Sequence, residues 1–332
     1  LQSTRVVRPS DIAKVLLRHV QYLVILCAIR LPWPSTLSHM FNAVAWVFSA
    51  STAQIVSLDC VLHTVHTSVP MAVAKTLISL LMPVTILVAV LMLRLLMHSW
   101  KSRTCSLWTA PESVVSVLVV LFFFYPMLVQ TSLGMFACVP VDDARLASDP
   151  YPQYAIANAS RGYWIWDMQQ PCAEGWHLRW SMGLGLPCVL FFCLGVPLSM
   201  WLVLHRNQAK PLVEETSINP YVGFLYHCFT PHRYYWEAVA SMQSVFLVLV
   251  GTFSFSIGSF HAVLLMHVCF LTILAAHYIF RPLAFRQVQH IQLASSACLL
   301  LTTLIGMSFF EGGMTVPAAY KEVAGVVGLV CN

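Results

Sequence analysis

Residues 261–280 read HAVLLMHVCFLTILAAHYIF, and Arg281-Pro282 closes the run. No Lys, Arg, Asp or Glu interrupts it. A helix of this length, rising about 1.5 Å per residue, spans about 30 Å, the thickness of a hydrocarbon core. The run is apolar on every face, so it has no side suited to water. Its histidines, His261, His267 and His277, fall on different faces at about 100° per residue. They therefore read as scattered polar contacts and not as a proton relay.

Working outward, similar blocks stand at 114–136, 182–204, 238–258 and 291–310, and the loops between the blocks carry nearly all the charge. The chain is 58% hydrophobic and 9% charged, whereas a soluble domain has about 25% charged residues. These features predict an all-α, polytopic transmembrane helical bundle, a single membrane domain over 1–332. Its spans are placed at 11–31, 71–97, 112–136, 178–205, 236–258, 260–280 and 288–310, about seven in all. The lipid bilayer is its first partner. The net charge of +5 is spread too thinly to form a nucleic-acid surface.

Between the first two spans lies 37–58, which is only moderately apolar and dotted with Ser, Thr, Asn42 and Gln54. It reads as a helix at the outer interface or packed in the bundle, with a full span as the other reading. Pro83 lies inside 71–97 and is expected to kink that helix without ending it. At the other end, 315–332 finishes in a short apolar run and reads as the start of an eighth, truncated helix. The first residue is Leu1 and no secretory signal pattern follows it. The expectation is a piece of a longer protein.

Charge asymmetry sets the sidedness. Of the 18 Lys and Arg residues, only Arg30, Lys75, Arg145, Arg161, Arg179 and Lys321 fall on one side of the proposed spans. The richer side is expected to be cytoplasmic, with the N-terminal end on it. The loop 138–177 is then extracellular. It holds an acceptor pattern for N-glycosylation at Asn158-Ala159-Ser160.

Eleven cysteines are present. Those inside apolar segments behave as small hydrophobes. Cys60, Cys138 and Cys172 fall in the oxidising space. Cys138 and Cys172 bracket the outer loop and form the favoured disulfide, with Cys60 as the alternative partner. His63 and His66 share a helical face, but a metal site needs further ligands, so no metal is assigned. No phosphate loop, nucleophile elbow, His-Glu-x-x-His or Cys-x-x-Cys is present, so no enzyme activity and no cofactor are expected. A pore would be lined by neutral polar groups: Gln130, Thr131 and Ser132, or Ser295, Ser296, Thr302 and Thr303. Glu237 and Glu311 are the carboxylates at span ends where a cation path could begin or finish. Glu237 suits a helix N-terminus, with Arg233 or Arg281 as a pairing partner. The bundle interior is expected to hold no buried Lys, Arg, Asp or Glu near mid-bilayer.

Several short stretches occur in a telling order. They are Trp33-Pro34, Leu58-Asp59-Cys60, Tyr125-Pro126, Phe136-Ala137-Cys138, Cys172 with His177, Gly195-Val196-Pro197, Gly223-Phe224-Leu225-Tyr226, Tyr235-Trp236-Glu237 and Arg281-Pro282. Together they resemble the TRP-like multi-pass membrane region at the C-terminal end of large algal and protist surface proteins. More distantly they are similar to fungal flavin-carrier and polycystin-like membrane proteins. The resemblance runs over about residues 11–310 and implies a channel-related bundle beneath an extracellular region. One departure is Ser241-Met242-Gln243-Ser244, where that pattern carries a basic pair. Two functions follow: a TRP-like channel-related domain, possible as an oligomer, or a non-conducting anchor for an extracellular or ciliary surface assembly. The plasma or ciliary membrane is the expected location.

Overall fold

A computed structural model describes residues 7–29, 33–48, 71–101, 111–139, 162–208, 227–308 and 318–332. The elements run α1 (Pro9–Cys27), α2 (Ser35–Phe48), α3 (Met71–Lys101), α4 (Pro111–Gly134), β1 (Cys138–Val139), β2 (Tyr163–Trp164), β3 (Asp167–Pro171), α5 (Gly175–Arg206), α6 (Trp236–Thr252), α7 (Ser259–Phe280), α8 (Arg286–Ser308) and α9 (Ala318–Cys331). We call the end where α1 starts proximal, and the end that holds the strands distal.

Five helical stretches are long and apolar enough to cross a bilayer: Ala72–Leu96, Val115–Gly134, Gly175–Arg206, Ser259–Phe280 and Arg286–Ser308. The sequence predicts about seven. The other two expected spans are α1 and α6. The first half of α1 carries Asp11, Lys14 and Arg18, and α6 has only 17 residues before the turn that precedes α7. Both are nonetheless central: Leu26 of α1 and Leu247 of α6 are fully buried in one core that also takes residues from α2, α4, α5, α7, α8 and α9. A Cβ on Gly251 would lie 3.3 Å from Ile25 Cγ2, so glycine lets α6 close on α1.

The helix expected within 37–58 is α2, and its first turns pack into the bundle: Leu37 and Phe41 are core residues. Trp33 meets the Phe41 ring edge-on at 4.9 Å. The tail does form a helix, α9, which packs on α2 and α8. By contrast, α3 packs mainly on α4, and Leu81, Val88, Met92 and Leu96 face outward. In water this face would be a liability; against lipid tails it is the ordinary surface.

The all-α expectation needs one correction. A small antiparallel sheet, β1-β2-β3, crosses the distal end, pairing Cys138 with Trp164 and Tyr163 with Pro171. Strands this short carry no period-2 signal and cannot be told from loop by pattern.

The prolines inside the spans do not end their helices, as expected for Pro83. Pro83 and Pro126 lie inside α3 and α4. In α5, wide π turns at Ser181–Gly185 and Leu190–Gly195 each end two residues before a proline, Pro187 and Pro197. An extra residue per turn relieves the clash between a proline ring and the preceding turn.

Candidate functional site

The most unusual chemistry in the bundle is a buried ion pair. Arg18 Nη2 donates to Glu237 Oε1 at 2.8 Å, and the Glu237 side chain is 1% exposed. Arg18 sits in the third turn of α1, and Glu237 is the second residue of α6. The N-terminal dipole of α6 favours the carboxylate. Arg18 also lies over the Phe122 ring of α4, 5.5 Å from its centre. The expected partners of Glu237 are elsewhere. Arg233 donates to the Tyr235 hydroxyl and stacks on Phe280. Arg281 has no ion-pair partner among the described residues.

The expectation of no buried charge is limited to mid-bilayer, and along the middle of the long apolar helices no buried Lys, Arg, Asp or Glu is found among the described residues; the buried charges gather at the proximal end of α1. There Asp11, Lys14 and Arg18 are all buried. Asp11 accepts from the Arg8 N–H at 3.1 Å, half of a capping box, and faces His227 Nδ1 at 3.3 Å. Cys228 lies beside this cluster, and burial pushes its thiol up to about 11. It therefore stays protonated and unreactive near neutrality.

Neighbouring polar groups satisfy backbone that proline leaves open. Pro126 has no N–H, so the helical acceptor four residues back, the Phe122 carbonyl, loses its partner. Gln21 Nε2 donates to Phe122 O at 2.9 Å and to Phe123 O at 3.1 Å. In the π register of α5 the Val196 N–H reaches Phe191 O, five residues back. The next acceptor, Phe192 O, would need an N–H from Pro197, and Tyr125 Oη donates to it instead at 3.1 Å. Arg18, Gln21 and Tyr125, with Phe122, Met200, Ala240, Ser241 and Ser244, enclose a cavity of about 10 Å³, the size of one water.

Gln21→Leu should therefore destabilise the bundle by about 1–3 kcal/mol by leaving a buried carbonyl bare. In a Pro126→Ala background, which restores the helical N–H, the same change should cost clearly less. Thermal unfolding of the four proteins in mild detergent checks this. Equal costs in both backgrounds would sink the account.

Five of the seven neutral candidates for a pore lining are hydrogen-bonded within the bundle. Ser295 Oγ meets His19 Nδ1 at 2.9 Å, and Ser296 donates to Gln292 O. Thr302 donates to Cys298 O and receives Asn332 Nδ2 at 2.6 Å. Thr303 donates to Leu300 O and meets His267 Nδ1 at 2.8 Å. Ser132 donates to Leu128 O; Thr131 is buried and Gln130 half-buried near the distal end of α4. His277 is a core histidine held by Ile273 O, with Trp236 donating to its Nε2. Glu311, Asn158, Cys60, His63 and His66 lie outside the described residues.

At the distal end Cys138 and Cys172 are bonded, with Cα atoms 6.2 Å apart, inside the expected range. Trp164 is buried beneath them and donates to Gly134 O at 3.0 Å; the His177 ring stands 5.3 Å from its own. The two sulfurs and a His177 nitrogen lie within 4.8 Å of one another, but sulfurs joined to each other offer no thiolate to a metal. Ser256, in the turn before α7, donates to Cys138 O at 2.6 Å and ties the sheet to the bundle.

Sequence reasoning missed Arg18, Gln21 and Tyr125. One signal was present: Arg18 and Gln21 are spaced i, i+3 and so share a face, two polar groups on the side of α1 that leads into its apolar end.

Comparison with known proteins adds one similarity. Over 145 residues the chain is 26% identical to cysteine repeat modular protein A of Toxoplasma gondii. The match covers 42% of this chain and only 4% of that protein's length. No known family's sequence profile matches the chain, and no solved structure matches it.

Proposed function

We propose that this chain is the membrane-embedded domain of a large surface protein, and that it anchors an extracellular region without conducting ions through a single protomer. The observation that carries this is the state of the polar interior. Among the candidate pore hydroxyls, Ser132, Ser295, Ser296, Thr302 and Thr303 are bonded within or between packed helices, and Thr302 and Thr303 are fully buried. The distal disulfide-braced sheet supports the same reading, since it gives an outer region a rigid seat. So does the similarity to a far longer Toxoplasma protein named for modular cysteine repeats. The side rich in Lys and Arg is read as cytoplasmic, with Asn158 outside as a glycosylation acceptor.

A second reading is a TRP-like, channel-related domain that conducts only between protomers. The resemblance in motif order supports it. So does α3, whose most apolar window is only 11% buried and has surface for a neighbour. Planar-bilayer recording of the purified chain separates the two. The anchor predicts silence across a range of potentials with folded protein confirmed; reproducible unitary currents would overturn it. Sidedness is checked by impermeant maleimide on Asn158→Cys and Arg103→Cys. Only the first should react from outside, and the reverse pattern would invert the topology.

A further inference from the structure

We propose that the cleft between α7 and α8 at the proximal end binds the headgroup of an anionic phospholipid. The cleft encloses about 580 Å³ where α7 ends and α8 begins. Its polar wall is Arg281, Arg286 and His290, and its apolar wall is Tyr278, Leu283 and Leu293. Both arginines are exposed, and neither has an ion-pair partner among the described residues. The two proximal carboxylates whose side chains are described, Asp11 and Glu237, are buried and engaged by His227 and Arg18. The rim of the cleft is therefore left cationic. The positive end of the α8 dipole adds to it.

The turn that makes the cleft is held open by the fold itself. Arg281 takes a left-handed conformation at φ 41°, which turns the chain out of α7. Gln289 fixes that turn from α8, donating to His277 O at 2.7 Å and accepting the Leu283 N–H at 3.4 Å. Its amide is thus used internally, and the arginines and His290 are the groups left to meet a ligand.

The apolar wall decides between a lipid and a soluble phosphate. Tyr278 is 63% exposed and Ile279 69% exposed, on the outward side of α7 just above Arg281. A headgroup in the cleft would lay its acyl chains against this face, at the level where the apolar helix gives way to charge. Basic pockets at this depth between membrane helices suit phosphorylated headgroups. A free phosphate would have no use for that wall.

The test is native mass spectrometry of the full chain released from micelles containing phosphatidylcholine, phosphatidylserine and phosphatidylinositol bisphosphate. The wild type should retain the anionic lipids preferentially. Arg281→Gly suits the left-handed backbone and Arg286→Gln changes an exposed first-turn residue, so both variants should fold. Each should weaken retention about fivefold, and the pair roughly 25-fold, if each arginine supplies the usual attraction near a membrane surface. Arg179→Gln, at the distal end, should change nothing. Equal retention of phosphatidylcholine by the wild type, or equal loss with Arg179→Gln, would overturn the proposal. So would soluble inositol trisphosphate binding as tightly as the lipid, which would make the site one for a soluble ligand.

Discussion

Glu237→Leu should destabilise the bundle by about 3–5 kcal/mol, because it leaves the buried Arg18 guanidinium without its counter-charge. Arg18→Met should do less harm, since an isolated carboxyl can take up a proton and become neutral, an escape closed to arginine. The double change Arg18→Met/Glu237→Leu should return most of the loss and can exceed the wild type, since both desolvation penalties vanish together. The measurement is a double-mutant cycle on thermal unfolding in mild detergent, with circular dichroism confirming helix content. Additive losses would mean that the 2.8 Å contact contributes no coupling, and that each side chain matters only through its packing.

The cycle also bears on what the pair is for. A buried ion pair seldom adds stability over a well-packed apolar pair. Its stronger effect here is on register. Arg18 belongs to α1 and Glu237 to α6, 219 residues apart in sequence, and their contact fixes the rotation and depth of one helix against the other. Two smooth apolar helices in lipid have no such constraint, because tails and leucines are equally apolar. An apolar double variant that is stable but binds or assembles differently would fit a register role.

What could be read in the sequence follows from the strength of each signal. The ends of the long apolar helices were legible to within a few residues: 260–280 against Ser259–Phe280, 288–310 against Arg286–Ser308, 112–136 against Pro111–Gly134. Hydropathy over about 20 residues is a summed signal and survives local noise. The Cys138–Cys172 bridge was legible because both cysteines bracket one loop on one side. The Arg18–Glu237 pair was not, because nothing in a single sequence records which of many distant charges will meet. The span expected at 11–31 opens on Asp11, Lys14 and Arg18, and their burial depends on partners in other elements that a single sequence does not show. The roles of Gln21 and Tyr125 were hidden for a related reason. Each serves a backbone carbonyl freed by a proline in a different helix, and that vacancy is visible only once the helices are docked.

Cys138→Ser should weaken the distal end by about 3–4 kcal/mol, the chain-entropy value for a closed loop of this length; the two cysteines are 34 residues apart. The loss should appear first in the sheet, where Trp164 and Cys172 share a small cluster with Ala72 and Val73 of α3. The proximal ion pair, at the other end of the bundle, should be untouched. The difference in tryptophan fluorescence between the protein and a Trp164→Phe variant isolates the Trp164 signal, and peptide mapping of the non-reduced protein identifies the bridge directly. Recovery of Cys60 joined to either cysteine would refute the pairing, and unchanged unfolding after reduction would refute its structural weight. The consequence for function follows from connectivity. Ser256 ties β1 to the turn before α7, and Trp164 ties β2 to the end of α4, so the sheet is bonded to two helices that run through the core. An extracellular region seated on an intact sheet would hold a fixed pose over the membrane. With the bridge cut, that region should remain attached but lose its orientation, while the helices below stay folded.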